Sequence, residues 1–398
     1  MNTNLIESVK KLSAEHSAQI IDIRRKIHQN PELGFEEEET SALVQQTLSA
    51  AGIEFEPNFP KTGIVGTIKG NNPGSEKVVA LRADMDALPI HETNNVPYKS
   101  KKPGVMHACG HDVHTSSLLG SATVLKQLQN EFSGTIKLIF QPSEERLPSG
   151  AHEMLKAGLF EKHKPDVIFG QHVHPPLATG KLGFRGGQYM ASADEIHMTV
   201  KGKGGHAGTP HLTTDPVVIS AQIIIALQQL ISRRRDPFQP AVLSFGRVIA
   251  EGATNIIPDK VSLQGTLRAM NEEWRWETHK RIKELAEGVA RGMGAECDVD
   301  VRPGLPSLFN NEALTQQAWD FGKEYIGEDF AVETQVRMTA EDFAWFSHEV
   351  PACFYRLGVS NEAKGITSPV HTPTFNIDED ALELGMGFMA YLAIRSLQ

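Results

Sequence analysis

The chain has 398 residues, 49 acidic against 39 lysines and arginines, for a net charge of -10, with 40 % hydrophobic residues. That length exceeds what one hydrophobic core usually serves, so a second or inserted domain is expected, and the acidic balance argues against a nucleic-acid partner. Three cysteines are too few and scattered for a disulfide framework, and the sequence shows neither an apolar leader nor a long uninterrupted apolar span, so a cytoplasmic protein with no membrane partner is expected.

In chain order, residues 78–81 read as a buried strand, Leu118, Ala122 and Leu125 recur at helical spacing, and 136–140 and 167–169 read as two further buried strands. Strand alternating with helix predicts an α/β fold, a mostly parallel sheet flanked by helices. Metal-capable or acidic residues are expected just after each strand: Asp84 and Asp86, then Glu144 and Glu145, then His172 and His174. Ligands of open α/β sheets bind outside the carboxyl ends of strands, so three strand ends point to one crevice.

From about residue 193 to about residue 301 the texture changes. Residues 196–200 alternate like a half-exposed strand, and a glycine-rich run leads into His206. Asp215 and Pro216 supply the cap and first position of a helix that ends at Arg233, Arg234 and Arg235. Strands near 241–248 and 261–267, a helix near 273–291 and a strand near 297–301 complete a smaller α+β unit. It reads as an inserted lid domain at 191–303, between a first catalytic part at 1–190 and a second at 304–398. The approach to His206 and the return at Pro303 and Gly304 are its candidate hinges.

Sixteen histidines matter less by number than by placement. His107, Cys109, His111 and His114 put four imidazole or thiol donors into eight residues at the start of the predicted helix. A thiolate and an imidazole two residues apart suit a borderline-soft divalent ion such as Zn, Mn, Co or Ni, and a nearby carboxylate can ligate or orient a histidine. Asp112 also reads as a helix cap, and short His/Cys tracts occur without metal. Adjacent carboxylates at Glu144 and Glu145 allow one to hold a metal while the other moves a proton, and composition leaves open which does which.

Seven motifs stand in a fixed order: Leu81-Arg82-Ala83-Asp84-Met85-Asp86-Ala87-Leu88-Pro89, Met106-His107-Ala108-Cys109-Gly110-His111-Asp112, Gln141-Pro142-Ser143-Glu144-Glu145, Gly205-His206-Ala207 with Pro210-His211, Asn255-Ile256-Ile257-Pro258, Glu341-Asp342-Phe343 and His371-Thr372-Pro373. Together they resemble the amidohydrolase branch of the metal-dependent aminoacylase and carboxypeptidase superfamily, which includes hippurate hydrolases, N-acyl-amino-acid deacetylases and auxin-conjugate hydrolases. The resemblance runs from Arg24 and Arg25 to the C-terminus. It implies two divalent ions held by Cys109, His111, Glu145, His172 and His371, with the thiolate bridging them, and Glu144 as the catalytic base. It further implies that His206 stabilises the oxyanion, in some relatives from a partner subunit, and that Asn255 and Arg268 bind the substrate's carboxylate or scissile carbonyl. The substrate so implied is a small N-acyl amino acid or small peptide, and the assembly a homodimer or higher oligomer. Two departures stand out. The wider superfamily has a ligand histidine where this chain has Arg82, and many branch members place glycine after the double glutamate where this chain has Arg146, Leu147 and Pro148.

The reading is therefore a dinuclear-metal amidohydrolase, with a metallo-carboxypeptidase or dipeptidase as the alternative. A dinuclear phosphohydrolase is disfavoured by the lack of a phosphate loop or arginine cluster. A non-catalytic metal-storage or thiol redox protein would have no use for Glu144 beside a ligand.

Overall fold

The computed structural model describes residues 2–398, with side chains from residue 4 onward. The chain divides into two compact units, one formed by residues up to Gly187 with Phe309–Gln335 and Trp345–Gln398, the other by Gln188–Leu308 with Val336–Ala344.

In the first unit, strands such as Val78–Asp84 and Ala352–Ser360 are buried on both faces, as their continuous apolar runs require. They belong to an eight-stranded sheet ordered Glu54–Pro57, Ile64–Lys69, Thr135–Gln141, Val78–Asp84, Val167–Ala178, Ala352–Ser360, Leu182–Phe184 and Ala331–Glu333. The central four run parallel, so their carboxyl ends lie on one side. The α/β fold expected from strand and helix alternation is what forms. The strand expected at 167–169 continues to Ala178, so His172 and His174 sit within it and not after it. The reason is pairing: the Ala352–Ser360 neighbour matches it in register as far as Ser360 opposite Ala178, beyond the short apolar run.

Helix His111–Gln127 packs against Asn2–Gln29 and Ala381–Leu397 in the apolar core. A buried ionic network crosses this contact. Arg24 Nε donates to Asp112 Oδ2 at 2.7 Å, and His28 Nδ1 lies 2.8 Å from the same oxygen. His28 Nε2 lies 3.2 Å from Glu92 Oε1. Asp112 thus ties two helices together; the helix N-cap is Gly110, not Asp112.

The second unit is a four-stranded antiparallel sheet ordered Ala241–Ile249, Lys260–Ala269, Ala193–Lys201 and Glu296–Leu305. Helices Pro216–Arg233 and Glu272–Gly292 supply the apolar side chains that close its core. Their starts follow from capping: Asp215 Oδ1 accepts from Val217 N at 2.8 Å ahead of Pro216, and Asn271 Oδ1 accepts from Trp274 N at 2.7 Å. Pro216–Arg233 is long and apolar enough by composition to cross a membrane, yet Ile219, Ile223, Leu227 and Leu230 on one face are core residues of this unit.

Candidate metal centre

Four segments of the first unit bring six donor side chains together. Cys109 and His111 flank Gly110, whose φ of +85° and whose closeness to Val173 (a Cβ would come 2.5 Å from Cγ2) admit only glycine. His172 lies on the Val167–Ala178 strand. Glu144 and Glu145 follow the end of Thr135–Gln141 through Ser143, held at φ +50°. His371 arrives on a loop at φ +61°, its amide donating to Ala108 O at 2.7 Å. Left-handed backbone at non-glycine residues is held only where surroundings over-determine it, and here it occurs at two site positions.

The donor atoms form three overlapping groups, each within 4.8 Å: Cys109, His111 and His172; Cys109, Glu145 and His371; His111, Glu144 and Glu145. Cys109 Sγ lies 3.5 Å from His172 Nε2 and 3.3 Å from His371 Nε2. His371 Nε2 is also 3.2 Å from Glu145 Oε1, a contact without hydrogen-bond geometry. Buried Glu145 Oε1 and His111 Nε2 have no hydrogen-bond partner among the described residues. Donor atoms gathered around one point and left without hydrogen-bond partners are what a cation satisfies, so the donor set fits metal binding.

The backbone decides which imidazoles can serve. The amide of Val173 donates to His114 Nε2 at 2.9 Å, so the His114 proton sits on Nδ1 and is given to Asp84 Oδ1 at 2.5 Å. His114 is thereby used up. The carbonyl of the same Val173 takes the Nδ1 proton of His172 at 2.7 Å, leaving the Nε2 lone pair facing Cys109. His111 gives its Nδ1 side to Asp86 Oδ1 at 3.1 Å and turns Nε2 to the cluster. His107 is buried with no hydrogen-bond partner on either ring nitrogen among the described residues and belongs to none of the three groups; burial above all pushes it down to about 3, so it is neutral.

Charges follow the same pattern. Burial, then the carboxylates of Glu145, Glu144 and Asp84, push the Cys109 thiol well up. Burial pulls His111 down, but Asp84, Asp86 and Glu145 together carry it up to about 10. Burial above all, with the Arg356 charge nearby, holds His172 well below the ordinary range. The Glu145 carboxylate raises His371. An acidic cluster that lifts a thiol and an imidazole together lacks positive charge.

Asp86 does more than the sequence suggested. Its Oδ1 and Oδ2 accept from Glu144 N and Glu145 N, each at 3.0 Å, in addition to holding His111. Arg82, where the wider pattern has histidine, donates to Gln141 Oε1 at 2.8 Å and Asp84 Oδ2 at 2.6 Å within the core. The other expected site residues lie on the second unit. His206 and Asn255 come together there: His206 pairs with Ile256 on a two-stranded ribbon, and Ala207 N donates to Asn255 O at 3.0 Å. Gly208 N donates to His206 Nδ1 at 3.0 Å, so a neutral His206 presents Nε2–H. Arg268, half-buried on Lys260–Ala269, donates from Nη1 to Thr266 Oγ1 of its own strand.

Residues 80–395 match Peptidase family M20/M25/M40. Thermostable carboxypeptidase 2 of Saccharolobus solfataricus is 42 % identical over 98 % of this chain and 99 % of its own length. The N-acetylcysteine deacetylase of Bacillus subtilis is 39 % identical, over 95 % and 97 %. The crystal structure of the Bacillus subtilis YXEP protein, described as a dinuclear metal-binding peptidase of the M20 family, superposes with a TM-score of 0.84 at 34 % identity, covering 96 % of this chain and 99 % of that one.

Proposed function

The chain belongs to peptidase family M20/M25/M40, a family of metal-dependent amidohydrolases and peptidases, and from that premise we propose that it hydrolyses N-acyl amino acids, N-acetyl, N-benzoyl or related, to a carboxylic acid and a free amino acid. The observation that carries this reading is the convergence of five donor side chains from four segments, with Glu144 beside them. The similarity to an N-acetylcysteine deacetylase supports the choice of substrate class. The similarity to a carboxypeptidase favours small peptides as a second reading, since the bond broken is the same.

Cys109, His111, Glu145, His172 and His371 would hold two divalent ions, Zn, Mn, Co or Ni. Such ions, when bound, polarise a carbonyl and make water more acidic. Glu144 takes a proton from the attacking water as its oxygen adds to the scissile carbonyl carbon, then delivers that proton to the amide nitrogen as the C–N bond breaks. His206 donates from Nε2–H to the oxygen on which negative charge develops, and Asn255 and Arg268 bind the substrate's carboxylate or scissile carbonyl.

The test is a panel of N-acetyl, N-benzoyl and longer N-acyl amino acids with dipeptides and phosphoesters as controls, after reconstitution with each of the four ions. Hydrolysis of acyl amino acids that is lost on chelation and restored by a divalent ion is expected. Phosphoester turnover without amide turnover, or full amide hydrolysis by demonstrably metal-free protein, overturns the reading.

A further inference from the structure

Outside the donor cluster, one buried carboxylate grips the catalytic turn from a distant segment. Glu37, at the start of helix Glu38–Ala50, is fully buried, and its Oε1 accepts from Ser143 N at 2.8 Å while its Oε2 accepts from Thr62 Oγ1 at 2.6 Å. With Asp86 taking the next two amides, three consecutive N–H groups, those of 143, 144 and 145, end on two buried carboxylates. Ser143 is the residue forced into the left-handed region, and its own Oγ is buried without a hydrogen-bond partner among the described residues, so the side chain does not brace the turn. The Glu37 segment touches the turn at two further points. Gly34 lies so close that a Cβ there would come 2.5 Å from Ser143 Oγ, and Gly34 O accepts from Arg146 Nη2.

We propose that Glu37 is a positioning residue that clamps Ser143 in its left-handed conformation and so aims the Glu144 carboxylate. The logic is geometric. Asp86 fixes the amides of 144 and 145 but not the direction from which the chain enters them, and a left-handed residue just before Glu144 swings that side chain when it relaxes. A carboxylate that serves as proton acceptor loses much of its rate from a displacement of about 1 Å, whereas ligands held independently, as His111 is by Asp86, keep their places. Ser143 is the point at which the turn gives way, and Glu37 holds it there.

This inference rests on the assignment of Glu144 as base, so the test carries a readout that needs no turnover. Glu37→Ala removes the clamp. Glu37→Asp keeps the charge but falls one methylene short of Ser143 N. Glu37→Gln keeps an oxygen for Ser143 N–H and offers its amide to the Thr62 hydroxyl. Backbone hydrogen exchange of the peptide containing residues 143–145 is measured with metal content, kcat and KM. Expected for Glu37→Ala and Glu37→Asp are faster exchange, a kcat lower by about ten- to a hundredfold, and KM and metal stoichiometry within about twofold. Glu37→Gln is expected to stay within about threefold of wild type on every measure. Unchanged exchange in Glu37→Asp overturns the clamp, as does a Glu37→Gln as impaired as Glu37→Ala, which would assign the effect to charge. Loss of metal alongside kcat overturns it too, since Glu37 would then support the ligands. If wild type cleaves no amide, the proposed function fails, while hydrogen exchange still decides the clamp.

Discussion

At position 144 a neutral isostere keeps the side chain's shape and removes its ability to take a proton; at 145 the same change removes charge from a proposed ligand. The surroundings separate the two. Glu145 shares a donor group with Cys109 and His371 and touches His371, whereas Glu144 shares none with either. Glu144→Gln is therefore expected to retain both ions and lose kcat by on the order of a hundred- to ten-thousandfold. Glu145→Gln is expected to lose metal and regain part of its activity in excess ion. Metal stoichiometry by elemental analysis beside kcat decides, and a Glu144→Gln that sheds metal reverses the assignment.

At the scale of elements, the helix that begins with His111 is held to the N-terminal helix by Arg24 and His28 on Asp112. Burial and the Arg24 charge lower His28, but Asp112 and Glu92 raise it further, so its folded-state pKa lies above the ordinary histidine value. A raised histidine stabilises below its unfolded pKa of about 6.5 and loses that contribution as pH climbs through the folded value. Burial raises Asp112, but Arg24 and His28 hold it far below the carboxylate range, so its contribution is present above about pH 4 and fades only in strong acid. The network should stabilise most between about pH 4 and 6.5. Denaturant unfolding of His28→Gln is expected to show a flatter fall in stability from pH 6 to 9 than wild type, and identical slopes would dismiss the buried imidazolium. Arg24→Ala leaves Asp112 buried without that charge and should cost about 3–5 kcal/mol.

Across the whole molecule, the proposed chemistry draws on both compact units. His206 sits on the second, exposed, its Nδ1 occupied by Gly208 N and its Nε2–H available for donation. If it meets the oxyanion, His206→Ala should lower kcat by about a hundred- to a thousandfold with metal content unchanged. Wild-type turnover by that variant refutes the role, and activity regained on mixing it with Glu144→Gln would assign the histidine to a partner subunit.

What the sequence determined by itself was chemistry and periodicity, because both are local. Apolar runs marked the parallel strands, Asp215 with Pro216 marked a helix start, and the motifs together with the strand-end reading of His172 named every member of the donor cluster. Tertiary structure decided which of several equivalent groups is available. His111 and His114 are three residues apart in one helix and look interchangeable on paper, but the peptide of Val173, some sixty residues on, consumes one and orients His172. The helix-cap reading of Asp112 gave way to a buried salt bridge with a residue 88 positions earlier. Asp86 and Glu37 accept from the backbone amides of residues 143–145, and a backbone amide has no signature in sequence. Contacts of that separation depend on how the sheet brings distant segments together, which no local pattern records.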